Sequence, residues 1–318
     1  KNHISLFIFA IALLSGPVSA NDLSMTAVKD TLASIPGEHN YIYVRTPLGE
    51  DEEKNYDEIT FYDGLGRELD FAQSYGADRA GAIMAHHHLI EYDSLGRKEK
   101  QWLSTNTSFS YMSPEDLKGG VLWDYHDAGK RSYLQTNYES SPLNRITEQY
   151  GVGDAWGDHP ARMEYLTNIP ADSLRCSFYF IDDNDSLIRR GDYRSGELQV
   201  TKATDEDGKP TYTFVDKQGR TLLTRLGRGN QQADTYFVFD RFGRIRYVLP
   251  PMINDEISAG NLDLYAYQYL YDSFGRCISK KLPGCAAIGY VYDKADRVIL
   301  SQNGNQSQKK EWTFTFYD

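Results

Sequence analysis

The chain has 318 residues, with 34 basic and 45 acidic side chains and a net charge of −11. An acidic surface repels phosphate backbones, so nucleic acid is not expected as a partner. Aromatic residues make up 13% of the chain, and the 24 Tyr and 26 Gly are typical of half-buried β-sheets joined by tight turns.

Residues 1–20 are predicted to be a signal peptide. A short basic head precedes an apolar run over residues 4–14, and the small residues at 18–20 are typical of a cleavage site. The run is short for a membrane span, so an uncleaved anchor or a core strand is the less favoured alternative. Residues 21–37 form a polar lead-in. We therefore expect an exported protein, extracellular, periplasmic or at the cell surface, without a transmembrane span after cleavage.

Residues 38–203 are predicted to form a β-rich N-terminal domain with degenerate repeats. Three consecutive histidines precede the turn at residues 92–97, and His86 and His88 share one face of their strand while His87 points away. Two histidines on one face are compatible with zinc. No HExxH or partner carboxylate motif accompanies them, so polar strand residues are the favoured interpretation.

Three other segments of this region require a choice of interpretation. Residues 113–116 (SPED) have the pattern of a helix start, and Gly119-Gly120 predicts that this helix ends after one or two turns. The acidic segments 182–185 and 205–208 raise the question of calcium. Neither matches the spacing of the twelve-residue calcium loop, so both are interpreted as turns between strands.

A six-residue pattern recurs along the chain, most clearly as YDSFGR at residues 271–276. It consists of an aromatic residue, Asp, two variable positions, Gly and Arg. Other copies start at Tyr62, Tyr92, Val215 and Phe239; a variant at Tyr292 has Asp296 in place of glycine; residues 138–145 form a stretched copy; and Tyr317-Asp318 is the first half of another. Such self-similarity indicates an array of stacked units, so residues 204–318 are predicted to be repeats truncated within a repeat.

Each copy is predicted to be a β-hairpin. Asp at the first turn position and Gly at the fourth are typical of a type I turn, in which the Gly takes positive φ and closes a three-residue loop. Asp and Arg then face each other across the two strands, as in Asp240 and Arg244. An exposed pair of this kind contributes about 0–1 kcal/mol, so it is expected to set the register rather than hold the fold. The fold class is therefore all-β, mainly antiparallel, built from consecutive hairpins with little helix.

Three cysteines in an exported chain leave at least one unpaired. Cys176 lies among apolar residues and is interpreted as a core residue. Cys277 and Cys285 flank a turn and could form a disulfide across adjacent strands. Two separate buried thiols are the favoured alternative.

The recurring pattern resembles that of the YD-repeat, or Rhs, family of large secreted bacterial proteins. The first half also resembles the uncharacterised N-terminal domain that precedes such repeats in exported Rhs-type proteins, and together the resemblance covers about residue 38 to the end. It implies that the repeats wind as a spiralling β-sheet, which closes into a hollow shell that encloses or carries a C-terminal toxin; other members act in adhesion or carbohydrate contact. This chain has too few repeats to close a shell and no recognisable toxin segment. Its activity is therefore expected beyond Asp318.

No motif assigns a catalytic, cofactor-binding or metal-binding residue, since Gly-x-Ser-x-Gly, HExxH and P-loop patterns are all missing from the sequence. We expect a non-catalytic scaffold without cofactor, whose partner is the remainder of the same chain or a C-terminal effector domain. The first alternative is a surface module that binds glycans or another cell. Its stacking platforms would come from four tryptophans, Trp102, Trp123, Trp156 and Trp312. A hydrolase is the weaker alternative, because nothing in the spacing selects a pair of carboxylates.

Overall fold

A computed structural model describes residues 32–33, 35–37, 39–47, 55–77, 83–227, 232–253 and 256–318. The predicted signal peptide and most of the polar lead-in lie outside these residues. The chain divides into two compact units, Lys1–Ala161 and Arg162–Asp318. The boundary predicted between residues 203 and 204 falls inside the second unit, at the end of a strand. The all-β prediction is confirmed, because antiparallel strands dominate both units.

The first unit is an antiparallel sheet of eight described strands. They are β1 (Asn40–Pro47), β2 (Asn55–Tyr62), β3 (Glu68–Ala77), β4 (Ile83–Tyr92), β5 (Lys98–Trp102), β6 (Thr105–Ser108), β7 (Tyr133–Tyr138) and β8 (Ile146–Tyr150). Strands β1 to β4 pair in sequence order. Strand β4 also pairs with two later strands: its first half with β6 and its second half with β5. Strand β5 continues the sheet to β7, and β7 to β8.

The first unit also contains helix α1 (Pro114–Asp124), which is longer than the sequence predicted. Its start is as expected, with the Ser113 side chain accepting the N–H of Asp116 at 3.1 Å. The prediction that Gly119-Gly120 would end it is wrong, because the helix continues past both. Leu117 and Val121 are buried on one face. At Gly120 a Cβ atom would approach the Thr105 hydroxyl to 2.6 Å, so the glycine permits close packing of the helix on β6.

The second unit is a longer sheet with a separate hairpin. Its strands are β9 (Ala161–Thr167), β10 (Ser177–Ile181), β11 (Leu187–Asp192), β12 (Gln199–Thr204), β13 (Pro210–Val215), β14 (Thr221–Leu226), β15 (Ala233–Phe239), β16 (Ile245–Leu249), β17 (Tyr267–Tyr271), β18 (Cys277–Lys281), β19 (Ile288–Tyr292), β20 (Val298–Gln302) and β21 (Thr313–Phe314). Strand β9 pairs with β12, and β12 to β21 then follow in sequence order. Helices α2 (Ala259–Tyr265) and α3 (Gly304–Lys309) lie in connections between strands.

The hairpin β10–β11 packs on the sheet of the second unit and covers its main core. Cys176, Tyr179 and Leu187 from the hairpin region join the buried cluster around Phe214 and Leu223. This apolar contact removes one face of the sheet from water, which is the main stabilising contribution. The core interpretation of Cys176 is confirmed, since only 1% of the residue is exposed.

One arginine is buried within this second unit. The guanidinium of Arg225 is 2% exposed and forms a two-bond pair with Asp234, while its Nη1 donates to the carbonyls of Ser173 and Arg175. The segment before the hairpin is thus bonded to strand β14. Because every one of these donors finds an acceptor, the buried charge does not destabilise the core.

Candidate functional site: the arginine ladders

The Asp–Arg turn has one geometry, well illustrated by residues 240–244. The N–H of Asp240 donates to the Arg244 carbonyl at 2.9 Å, and the N–H of Gly243 donates to the Asp240 carbonyl at 3.0 Å. Oδ1 of Asp240 accepts the N–H groups of Phe242 and Arg244, and its Oδ2 accepts Nε of Arg244 at 2.8 Å. Gly243 has φ +78°, and the strand register shifts beside the turn. The predicted loop with a positive-φ glycine is therefore confirmed, and the register shift adds a bulge beside it.

The same bonds recur at the other turns predicted from the pattern. They are found at Asp63–Arg67, Asp93–Arg97, Asp216–Arg220, Asp272–Arg276 and Asp293–Arg297. The stretched copy uses a longer side chain: Glu139 takes both Nε and Nη2 of Arg145 at 2.7 Å. Asn144, with φ +54°, stands where the other copies have glycine.

Two further turns share the backbone geometry but were not recognised as copies. Asp182 accepts the N–H groups of Asn184 and Ser186, and Asp205 accepts those of Asp207 and Lys209. The turn interpretation of both acidic segments is confirmed. The signal that could have revealed the kinship was Asp-x-x-Gly in residues 205–208, where Thr204 stands in place of the aromatic residue and Lys209 in place of the arginine.

Each turn arginine also reaches the next hairpin, where its guanidinium lies over an aromatic ring. In the first unit Arg67 lies 4.5 Å from the ring centre of Tyr92, and Arg97 lies 4.7 Å from that of Tyr138. In the second unit the pairs are Arg220–Phe239 at 5.0 Å, Arg244–Tyr271 at 4.7 Å, Arg276–Tyr292 at 5.0 Å and Arg297–Tyr317 at 4.8 Å. We call each series an arginine ladder. A guanidinium over an aromatic face is attracted by the ring's quadrupole.

The tyrosine hydroxyl returns a bond to the preceding hairpin. It donates to the carbonyl of the residue that follows the previous turn arginine: Tyr92 to Glu68, Tyr138 to Lys98, Tyr271 to Ile245, Tyr292 to Cys277 and Tyr317 to Val298, at 2.6–3.1 Å. Phe239 has no hydroxyl and cannot make this bond. The tyrosine therefore has two roles in the motif, as a stacking face and as a hydrogen-bond donor.

The predicted view of the Asp–Arg pair as exposed is corrected by this packing. The Asp240 side chain is only 7% exposed, and the Arg244 guanidinium lies between the rings of Phe242 and Tyr271. Burial, the largest influence on Asp240, acts to raise its pKa. The N–H and guanidinium of Arg244 and the N–H of Phe242 outweigh it, so the pKa of Asp240 is lowered and the carboxylate stays ionised.

The variant copy with Asp296 keeps the ladder intact. Asp296 adopts φ +61°, the conformation that glycine takes in the other copies. Its carboxylate accepts Nη1 of Arg276 at 2.8 Å. The substitution therefore adds an ion pair to the preceding rung at a position where the backbone disfavours a side chain.

The three histidines are placed as the strand pattern predicts. His87 points into the core, where Nδ1 lies 2.6 Å from the Asp70 carboxylate and Nε2 lies 2.9 Å from the Ser108 carbonyl. His86 lies on the other face and stacks on Tyr75 at 4.4 Å. Burial lowers the pKa of His88 on that same face. Within the described part of the chain, no group of three or more His, Cys, Asp or Glu side chains is arranged to hold a metal.

The remaining candidates lie apart from the ladders. All three cysteines are reduced, so no disulfide joins Cys277 and Cys285; the former is half-buried and the latter exposed. The prediction of separate thiols is confirmed, but not that both are buried.

Trp123, Trp156 and Trp312 are exposed, whereas Trp102 is half-buried and donates Nε1 to Glu91.

A cavity of about 360 Å³ lies between the hairpin β10–β11 and the turn at residues 240–244. Four aspartates line it, of which Asp185 is paired with Arg246 and Asp240 with Arg244, while Asp182 accepts backbone N–H groups of its own turn and Asp183 is exposed. A carboxylate held by a guanidinium is a poor general base. The geometry is that of a structural contact between the hairpin and the sheet.

The fold and the ladders define a β-hairpin repeat protein in which arginine connects each hairpin to the next. Residues 40–167 match the model of the domain of unknown function DUF6443. Comparison with curated proteins gives no match.

Among solved structures, the chain is similar to the crystal structures of TcdB2-TccC3-Cdc42 (14% identity, TM-score 0.53), TcdB2-TccC3 (13%, 0.52) and TcdB2-TccC3-TEV (13%, 0.51). Each alignment covers 83% of this chain but only 12% of the other, so this chain spans about an eighth of those chains. The likeness establishes a shared fold. No described helix is both long and apolar enough to cross a bilayer.

Proposed function

We propose that this chain is a non-catalytic structural segment of an exported Rhs-like protein, forming part of a shell or carrier for a toxin or effector encoded beyond Asp318. The observation that carries the proposal is the arginine ladder. Every rung joins neighbouring hairpins by stacking, and the tyrosine rungs add a hydrogen bond, so the motif residues serve to build a wall. Because the Asp and Arg side chains of the motif are engaged in these contacts, they are not available as catalytic groups.

The last rung indicates how such a wall is extended. Tyr317 already receives the guanidinium of Arg297 and donates to the Val298 carbonyl at 2.9 Å, as the other ladder tyrosines do. Beside it, Phe314 and Phe316 are 51% and 86% exposed. Exposed apolar rings at a sheet edge form a surface on which a further strand can pack. A further hairpin of the same kind would cover these rings.

The test is to determine the natural chain on the carboxyl side of Asp318 and to image the whole protein by electron cryomicroscopy. We expect further Asp–Arg turns that stack on β21, and a C-terminal segment that resists protease until the wall is denatured. A chain without further hairpins, or a C-terminal segment digested as fast as a free peptide, would contradict the proposal.

A surface binding module is the second candidate, supported by the exposure of three tryptophans. Trp123 is 83% exposed on helix α1, so most of its indole ring faces solvent. Aromatic platforms of this kind stack on sugar rings. A glycan array probed with the whole protein tests it, with Trp123→Ala as the matched variant. Silence across a broad array would count against this function.

The absence of catalysis is likewise a proposal. It is supported by the pairing of Asp185 and Asp240 with arginines in the cavity of about 360 Å³. A broad panel of glycoside, ester and peptide substrates incubated with the purified chain should give no turnover. Hydrolysis that survives purification and is lost on substituting one carboxylate would overturn it.

A further inference from the structure

We propose that Arg131 is the centre of a binding site for a small oxyanion, a carboxylate or a phosphate. Arg131 lies just before strand β7 in the first unit and takes no part in either ladder. Its Nε and Nη2 are both buried, and neither has a hydrogen-bond partner among the described residues. These two N–H groups form the edge of the guanidinium that binds two oxygens at once.

The rest of the chain shows what this edge of an arginine binds here. Every turn arginine of the ladders directs Nε to an aspartate oxygen at 2.7–2.8 Å. The buried Arg225 likewise uses Nε and Nη2 for Asp234. A buried guanidinium without such a partner is unfavourable, because its desolvation is not offset. Arg246 instead directs Nε to the Tyr269 carbonyl, whereas the buried Nε and Nη2 of Arg131 have no partner among the described residues.

The side chain is also held in place before any ligand arrives. The Arg131 guanidinium lies 5.5 Å from the ring centre of Tyr133 and 5.0 Å from that of Tyr150. Its stem runs beneath the turn at Gly157, where a Cβ atom would come within 3.6 Å of Cδ. Pre-organisation of this kind lowers the entropy cost of binding.

The carboxylate of Asp154 lies close by but is occupied by backbone groups. Asp154 accepts the backbone N–H groups of Lys130 and Arg131 at 3.2 and 3.0 Å, and it makes no bond to the guanidinium. Lys100 also lies on the Tyr133 ring, with Nζ 5.3 Å from the ring centre and 3.8 Å from the Glu91 carboxylate. The donor geometry therefore favours an oxyanion, because two parallel N–H donors match the two oxygens of a carboxylate or phosphate better than the single oxygen of a water molecule.

The site is tested by unfolding the whole chain in increasing phosphate or acetate at constant ionic strength. Oxyanions also stabilise proteins in general by exclusion from the surface, an effect that does not saturate and does not need Arg131. A specific site adds a saturable part: at a hundredfold excess over Kd the unfolding equilibrium constant falls about 100-fold. We expect this saturable stabilisation in the native chain and in the control variant Arg241→Gln. Arg241 is an exposed arginine that stacks on Phe242.

Two substitutions remove the paired Nε and Nη2 donors of Arg131 in different ways. Arg131→Lys keeps the charge and Arg131→Gln removes it; both should lose the saturable part. Broadening of the phosphate ³¹P signal by the native chain, reversed by acetate, gives a direct readout that does not depend on the variants folding. Equal, non-saturating stabilisation of the native chain and Arg131→Lys, with an unbroadened ³¹P signal, would overturn the site and leave buried water as the partner of Arg131.

Discussion

The guanidinium of Arg244 lies 4.7 Å from the ring centre of Tyr271, although the two residues belong to successive hairpins. Arg244 simultaneously binds Asp240 of its own turn, and Tyr271 donates its hydroxyl to the Ile245 carbonyl at 2.9 Å. One arginine therefore closes its own hairpin and holds the next. The six-residue pattern specifies a contact between copies as well as a turn.

Arg244→Ala should lower the free energy of unfolding by about 2 kcal/mol, because it removes a half-buried ion pair and a cation–π contact together. Arg244→Lys should lose part of this, since lysine keeps the charge but not the planar fork. Urea unfolding monitored by circular dichroism measures both. The control Arg241→Ala removes an exposed neighbour and should change stability by less than about 0.5 kcal/mol. Equal effects of the two alanine variants would show that the ladder does not stabilise the unit.

The tyrosine hydroxyl can be tested in both directions. Tyr271→Phe should cost about 1 kcal/mol, because the Ile245 carbonyl loses its donor. Phe239→Tyr places a hydroxyl where the other copies bond the residue after the arginine, here Thr221, and should stabilise by up to a similar amount. The two variants are compared by the same urea titration. Loss of stability in Phe239→Tyr would mean that the rung at Phe239 is packed differently from the others.

Two turn glycines separate backbone strain from contact between copies. Gly66 and Gly96 have φ +78° and +81°, so alanine at either should cost about 1–2 kcal/mol. Only at Gly96 would the new Cβ meet a neighbour, Nη1 of Arg67 at 2.9 Å, whereas Gly66 has open space. Gly96→Ala should therefore be the less stable variant by thermal unfolding. A larger loss at Gly66 would contradict the ladder geometry.

Lowering the pH should reduce the free energy of unfolding of the first unit through the Glu139–Arg145 pair of the stretched copy. The guanidinium of Arg145, followed by the Ser141 hydroxyl, lowers the pKa of Glu139 to about 2 from its ordinary value of 4.5. A carboxyl whose pKa is lowered by folding contributes stability that is complete above the ordinary value and is lost as the pH falls through the folded value. The window is therefore from about pH 4.5 down to pH 2.

Glu139→Gln removes this titration, so the stability of the variant should change less with pH across the window than that of the native chain. Arg145→Gln should flatten the same part of the curve, because the partner that lowers the pKa is gone. Unfolding free energies measured at half-unit steps between pH 5 and pH 2 check both. Superimposable pH profiles for all three chains would rule out the contribution of this pair.

The sequence by itself determined the local structure of each copy. Asp and Gly three residues apart are sufficient for the loop, because the Asp carboxylate bonds to backbone groups within the turn and glycine alone takes positive φ without strain. The same reasoning correctly placed His87 opposite His86 and His88, since successive side chains of a strand point to opposite faces. These features depend on neighbours in the chain, which the sequence displays directly.

Tertiary structure decided what the motif residues contact. Spacing along the chain cannot show that Arg67 reaches Tyr92 or that Arg276 meets Asp296, because those distances depend on how two hairpins pair side by side. Helix α1 ran past Gly119-Gly120 for the same reason: burial of Leu117 and Val121, with Gly120 against Thr105, outweighs the low helix propensity of glycine. That Nε and Nη2 of Arg131 lack a partner is also visible only in three dimensions, because it depends on groups distant in sequence.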